Sequence, residues 1–272
     1  METFADKRVV ITGAASGMGR AYATEFAKEG VAGLILCDVD EAGLAETAEL
    51  VKPFGDPPVF SQVVDVADEQ AMNEFAAASR ASLGDAHIVI NNAGIVGSME
   101  AGVETSVKAL EHVFAVNFYG VVHGTLAFMP QLQAVDEAAL VNVSSIFGMI
   151  GAPGNADYCA TKFAVRGYTE VLMAELDDSH IQVHLVHPGG IDTNIVQGTT
   201  IADDDEAMKM FKTAPEDVAQ AVIEAIRKNR RRVVTGHLST RARILHNAVP
   251  MGVVATMFNK GLRREERRRG EI

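Results

Sequence analysis

Tyr158 and Lys162 stand four residues apart in the run Tyr158-Cys159-Ala160-Thr161-Lys162, and on a helix that spacing puts both side chains on one face. The chemistry this suggests is proton transfer. A free tyrosine has a pKa near 10, and bringing it to about 7 requires roughly 4 kcal/mol of preferential stabilisation of the phenolate. A neighbouring ammonium and a positively charged nicotinamide ring both act in that direction. A tyrosine so tuned can take the proton of an alcohol as hydride leaves the adjacent carbon, or return one to a ketone. A Tyr-x-x-x-Lys pair by itself is as readily a surface pair, so the reading depends on what accompanies it. Val143-Ser144-Ser145 closes an apolar run thirteen residues before Tyr158.

A hydride-transfer reading needs a nucleotide site. Thr12-Gly13-Ala14-Ala15-Ser16-Gly17-Met18-Gly19 follows the first strand-like run and opens into a helical pattern. Glycines there permit a tight turn, a close approach of backbone to pyrophosphate and close helix-to-strand packing, with the phosphates at the helix N-terminus. Asp38 ends the second strand, 19 residues after Gly19, where a carboxylate can accept hydrogen bonds from the adenosine ribose. It would also repel a 2′-phosphate, a preference for NAD over NADP of about one to two decades. Neither Ser16 nor Val39 offers a compensating cation, so NAD is the expected cofactor. The plainer reading of Asp38 is a cap for the following helix. Asn91-Asn92-Ala93-Gly94 follows the fourth strand, beside the crevice where nucleotides bind in open α/β sheets.

The elements that must position these residues alternate. Strands are expected near Arg8 to Thr12, Gly33 to Asp38, Val59 to Val64, His87 to Asn91, Ala139 to Ser144, Gln182 to His187 and Arg232 to Thr235. They are mostly apolar rather than alternating, as strands buried on both faces must be. Between them lie helical segments at Met18 to Glu29, Glu41 to Lys52, Asp68 to Leu83, Ser106 to Met129, Asp157 to Asp177 and Pro215 to Lys228, the last with a Thr213 to Glu216 capping-box spacing. The pattern predicts an α/β fold: one doubly wound Rossmann-type domain over residues 1–236, its central parallel sheet of about seven strands covered by helices on both faces. Residues 189–213 interrupt the alternation and suit a substrate loop. Residues 237–272 form an apolar and basic extension packed on the same domain.

Charge divides along the same boundary. Of the 272 residues, the stretch to Ile226 holds 11 basic and 33 acidic, a net of −22, whereas Arg227 to Ile272 holds 13 basic and 3 acidic, a net of +10. The acidic body excludes nucleic acid as a partner. Two cysteines are too few for a disulfide framework, and Arg8 begins the first strand too early for a leader peptide, so a cytoplasmic protein is expected. No uninterrupted apolar run is long enough to span a bilayer. His180, His184 and His187 lack the spacing of a metal site, and no metal is expected.

With these motifs in this order, the chain resembles the classical short-chain dehydrogenases/reductases (SDR family) from Lys7 to about Thr235. The resemblance rests on the Thr12 to Gly19 turn, Asp38, Asp65-Val66, Asn91 to Gly94, Asn117, Ser145, Tyr158 with Lys162, and Pro188-Gly189 followed by Thr193. It implies an NAD-dependent oxidoreductase that works as a homodimer or homotetramer built through the helices carrying Asn117 and Tyr158. Ser145 would then bond the substrate oxygen and Tyr158 act as acid/base. Lys162 would bind the nicotinamide ribose and lower the Tyr158 pKa, and Asn117 would hold a water connecting Lys162 to solvent. Asp65 and Val66 would meet adenine, Asn92 would support the cofactor pocket together with Ala93 and Gly94, and Ile191 with Thr193 would hold the carboxamide. Ser144 is expected to be structural.

The substrate side then falls to Ile95 and Val96, to Ile146, Phe147, Met149 and Ile150, and to Ile195 and Val196, with no clustered cation among them. A hydrophobic secondary alcohol or its ketone is the expected substrate. Two alternatives are a 3-oxoacyl carrier-protein reductase, disfavoured by Asp38 and by the repulsion of an acidic carrier, and a non-enzymatic NAD-sensing scaffold. The tail, with basic residues flanking Ile244 to Phe258, suits either peripheral contact with an anionic membrane or, the simpler reading, packing over the substrate pocket or a subunit neighbour.

Overall fold

Strand residues with alternating faces split the core into two layers. In the computed structural model, which describes residues 1–193 and 211–240 together with Ile244 and Val253, Val9, Ile11, Leu34, Leu36, Ile88 and Ile90 point to one side of the sheet, and Val10, Ile35 and Val89 to the other. All nine of these side chains are fully buried, which is why their strands show no polar alternation.

Among the described residues the sheet has seven strands: β1 (Arg8–Thr12), β2 (Gly33–Asp38), β3 (Val59–Val63), β4 (Ile88–Asn91), β5 (Ala138–Val143), β6 (Ile181–Pro188) and β7 (Arg232–Thr235), all parallel, in the order β3-β2-β1-β4-β5-β6-β7. The order reverses between β1 and β4. That reversal opens a crevice at the carboxyl ends of these two strands.

The helices are α1 (Gly17–Lys28), α2 (Glu41–Val51), α3 (Glu69–Leu83), α4 (Val107–Phe114), α5 (Gly120–Gln133), α6 (Ala156–Glu175) and α7 (Pro215–Arg227). α1 buries Tyr22 and Phe26 in the first layer, where α7 adds Val218, Val222 and Ile226. α3 and α5 supply Met72, Phe75, Phe128 and Leu132 to the second. A π-helical turn, Ala115–Tyr119, joins α4 to α5 without a break. The joined helix Val107–Gln133 is 27 residues long and contains an 18-residue window of mean hydropathy 1.3, long and apolar enough to cross a membrane by length and composition. Lys108, Glu111, Asn117 and His123 punctuate it, so it holds no long uninterrupted apolar run.

Two local expectations need correction. The long helix does not stop before Pro130 but continues to Gln133. The Thr213 to Glu216 capping box does not form: α7 has Ala214 at its N-cap with no side-chain cap, although Pro215 does occupy the first turn. Thr213 is engaged elsewhere, accepting the His237 N–H at 2.7 Å through its hydroxyl while its own N–H bonds the Gly190 carbonyl. That bridge across the chain outcompetes the local cap.

Candidate active site

The glycine-rich turn and the Asn91 to Gly94 segment are stitched together at the crevice. The Thr12 hydroxyl accepts the N–H groups of both Asn92 and Ala93 at 3.0 Å, and Asn92 Nδ2 donates to the Thr12 carbonyl at 3.0 Å. A Cβ on Gly13 would lie 2.8 Å from Ala93 Cα, and one on Gly19 only 1.9 Å from the Gly13 carbonyl oxygen, so neither position can carry a side chain. Ala15 N–H donates to Asp38 Oδ2 at 2.9 Å, tying the turn to the end of β2. Asp38 Oδ1 accepts from Val39 and Asp40 N–H, whereas the helix cap is Asp40, whose side chain accepts from Gly43.

These residues fit a dinucleotide. The Asn92 side-chain oxygen is buried in the crevice without a partner. α2, α3 and α4 each receive a side-chain cap from Asp40, Asp68 and Ser106, but Ser16 leaves the first N–H groups of α1 uncapped and no acidic residue occupies its first turn. Such an end favours phosphate. Gly17 and Met18 begin that helix, and Thr193 approaches so closely that a Cβ on Gly17 would sit 3.1 Å from Thr193 Cβ. Asp65 is exposed beyond the end of β3, its Oδ1 accepting from Ala67 N–H. Val66 is buried, with its side chain where a Cβ on Gly120 would be and its carbonyl bonded to His123. At the end of β6, Gly189 is required by the His237 carbonyl, 2.0 Å from where its Cβ would be, and Ile191 is buried beneath Gly236.

Asn117 lies in the π-helical turn, fully buried. Its Oδ1 accepts the Ile95 N–H at 2.8 Å and its Nδ2 donates to the Ile95 carbonyl at 2.9 Å. The widened turn therefore fixes the backbone just after Gly94. Gly94 in turn lets Asn117 and Lys162 close in: a Cβ there would be 3.1 Å from Asn117 Oδ1 and 3.4 Å from Lys162 Nζ.

Lys162 is buried, its Nζ donating to the Val143 carbonyl at 3.1 Å and lying 5.6 Å from the centre of the Tyr158 ring. Burial lowers its pKa to about 8. Ser144 is structural, its hydroxyl donating to the Lys162 carbonyl at 2.8 Å. Burial pushes Tyr158 up to about 12, opposed by a hydrogen bond with the Ser145 side chain. Among the protein groups, desolvation of the phenolate is the largest influence, and the lowering expected from the sequence calls for the nicotinamide cation of a bound cofactor as well as Lys162.

Tyr158 and Ser145 face a cavity of about 110 Å³ whose apolar lining includes Met18, Val96, Ile146, Phe147 and Phe211. Phe147 meets the Tyr158 ring edge-on, with centroids 6.3 Å apart. Met149 and Ile150, expected on the substrate side, pack instead with Ile146 in a small buried cluster against Val234. Ile195, Val196, most of the 189–213 loop and nearly all of the 237–272 extension lie outside the described residues. The sequence reading missed Met99, Phe211 and Leu238, which also line the cavity. Leu238 carried a faint signal, following Gly236 just beyond β7. Among the described residues no cluster of His, Cys, Asp or Glu could hold a metal. His184 and His187 are buried and bonded to the carbonyls of Arg230 and Ser145.

Residues 7–204 match the short chain dehydrogenase family. The chain belongs to that family. It is 39% identical over 248 residues, 87% of this chain and 88% of the other, to a candidate oxidoreductase of Mycobacterium tuberculosis, SadH. It is 35% identical to human epidermal retinol dehydrogenase 2 over 71% of this chain and 62% of that one. A short chain dehydrogenase/reductase of Burkholderia phymatum, solved in complex with NAD, superposes with a TM-score of 0.82 at 30% identity, covering 92% of this chain and 96% of that one.

Proposed function

We propose that the protein is an NAD-dependent oxidoreductase that interconverts a hydrophobic secondary alcohol and its ketone. The observation that carries this reading is the placement of Ser145 and Tyr158 at a cavity whose described lining holds no charged side chain, with Lys162 buried behind it beside the Tyr158 ring. The NAD complex of the Burkholderia phymatum relative supports the cofactor, and a relative named for retinol, an apolar primary alcohol, supports the apolar character of the substrate.

When bound, NAD supplies the hydride acceptor. Ser145 donates a hydrogen bond to the substrate oxygen and Tyr158 takes the hydroxyl proton in oxidation, or returns it in reduction. Lys162, held by the Val143 carbonyl, places a cation beside the phenol. Asn117 acts through backbone, locking Ile95 and so the edge of the site nearest Lys162. Asp38 selects NAD by charge.

Exposed apolar side chains on the joined α4-α5 helix and on α6, among them Val107, Tyr119, Leu126, Phe163 and Val171, support assembly with further copies of the chain. Two free, buried cysteines support a cytoplasmic setting. A reduction assay with NAD and with NADP over a panel of alcohols tests the reading. Turnover of apolar secondary alcohols with NAD is expected; turnover restricted to sugars or hydroxy acids, or to NADP, refutes it.

A further inference from the structure

Two bulky apolar residues hold backbone conformations that side chains disfavour. Met99 has φ of 62° and Leu238 of 64°. The other described non-glycine residues with positive φ are Asp56 and Asn229, types that tolerate the left-handed region and here sit just past helix ends. Met99 and Leu238 have no such excuse. Both line the cavity that holds Ser145 and Tyr158, and both are only half-buried.

Strained backbone persists where its surroundings over-determine it. Beside Met99, Ser98 N–H donates at 2.7 Å to Asp157 Oδ2, a fully buried carboxylate next to Tyr158. Gly97 presses on the same carboxylate, so that a Cβ there would be 2.0 Å from Oδ1. Beside Leu238, the His237 carbonyl accepts the Gly190 N–H at 3.1 Å while its N–H is held by Thr213. On the other side, Ser239 N–H bonds the Gly236 carbonyl. Each strained residue is therefore pinned through its neighbour to the frame that carries the reaction centre. In the sheet, β4 and β7 flank β5 and β6. Met99 follows the first of these flanking strands and Leu238 the second, while Ser145 and Gly189 follow the inner pair.

We propose that Met99 and Leu238 are specificity-determining residues that grip the substrate from the two flanks of the reaction centre, selecting alcohols with apolar bulk on both sides of the carbinol carbon. This rests on the apolar-alcohol reading above. A secondary alcohol has two substituents, and a pair of apolar walls held at fixed backbone angles rewards filling both.

Two isomeric nonanols, dibutyl carbinol and methyl heptyl carbinol, have equal carbon counts and differ only in how the bulk is divided. Wild-type enzyme is expected to favour dibutyl carbinol in kcat/KM, and Met99→Gly and Leu238→Gly each to lower that preference about tenfold. Glycine adopts the left-handed region freely, so these variants should melt at or above the temperatures of Met99→Ala and Leu238→Ala, which keep the strain and lose the side chain. A wild type without preference, or glycine variants that retain it, overturns the proposal. Should wild type oxidise neither carbinol, the apolar-alcohol reading fails. The grip is then judged by binding of the uncharged dye Nile red: affinity about tenfold weaker in both glycine variants supports it, and unchanged affinity overturns it.

Discussion

The two halves of the crevice are built on opposite principles. On the cofactor side, around β1, β2 and β4, close approach is made by leaving side chains out: Gly13 and Gly19 have backbone atoms where a Cβ would stand, and the loops are joined by the Thr12 hydroxyl and Asn92. On the substrate side, around β5, β6 and β7 and farther along the segment that follows β4, bulky side chains are kept in and the backbone bends to aim them, as at Leu238 and Met99. A backbone cradle suits a pyrophosphate, which NAD and NADP share. Aimed side chains serve a ligand that must be told apart from others.

The largest expected effect separates the chemistry from both halves. Tyr158→Phe removes the exchangeable proton and leaves Lys162, the cradle and the apolar walls in place. Turnover should fall by about a thousandfold while NAD affinity, followed by calorimetry, stays as in wild type. Survival of most of the activity would mean that Tyr158 is not the proton carrier. Loss of NAD binding would mean that the two halves are not separable at this residue.

A somewhat smaller effect concerns how the substrate half is supported. His187, at the end of β6, is fully buried, and its Nδ1 bonds the Ser145 carbonyl at 2.8 Å, while Nε2 has no partner. Since the carbonyl only accepts, Nδ1 carries a proton. Burial, with Arg232 and Arg166 nearby and only partly offset by the Ser145 carbonyl and Glu170, lowers its pKa from 6.5 to about 4. The unfolded chain then binds a proton that the folded chain refuses, so stability is lost as pH falls from about 6.5 toward 4, by about 3 kcal/mol for this group. His87 and His184 are lowered too, and act with the same sign. His187→Asn offers the Ser145 carbonyl an amide donor without a titrating ring. Urea unfolding at stepped pH should show a shallower acid limb for this variant, and parallel curves would remove His187 from the account.

The same division decides what could be read from the sequence. The strands and the cradle were legible because their physics is written in residue type: apolar runs for strands buried on both faces, glycine where a Cβ cannot fit. The Tyr158 to Lys162 spacing was legible because one helical turn fixes it. Met99 and Leu238 were not, because a methionine or leucine carries no mark of a left-handed backbone; the constraint comes from Asp157 and Gly190, distant in the chain. Thr213 misled for a related reason, its local cap having been displaced by a bond to His237. The tyrosine pKa was read from a lysine at helical spacing and from the nicotinamide cation, and neither says how much solvent the fold removes from the phenol.

Asp38 gives the finest test, because it is a side chain inside the backbone-built half. One of its oxygens anchors Ala15 N–H in the glycine-rich turn and the other accepts from Val39 and Asp40. The carboxylate therefore has two effects that a substitution must separate: it holds the cradle for either cofactor, and its charge repels a 2′-phosphate. Asp38→Asn keeps one acceptor oxygen, so one of the two anchors is lost and the turn loosens for NAD and NADP alike. The charge term acts on NADP only. The ratio of kcat/KM with NADP to that with NAD cancels the shared loss and isolates the charge, and it should rise by about ten- to a hundredfold at low salt, less as salt screens the exposed oxygens. A ratio that stays fixed while both values drop would leave Asp38 as an anchor of the cradle and no more, and would place cofactor choice in some other residue around the ribose.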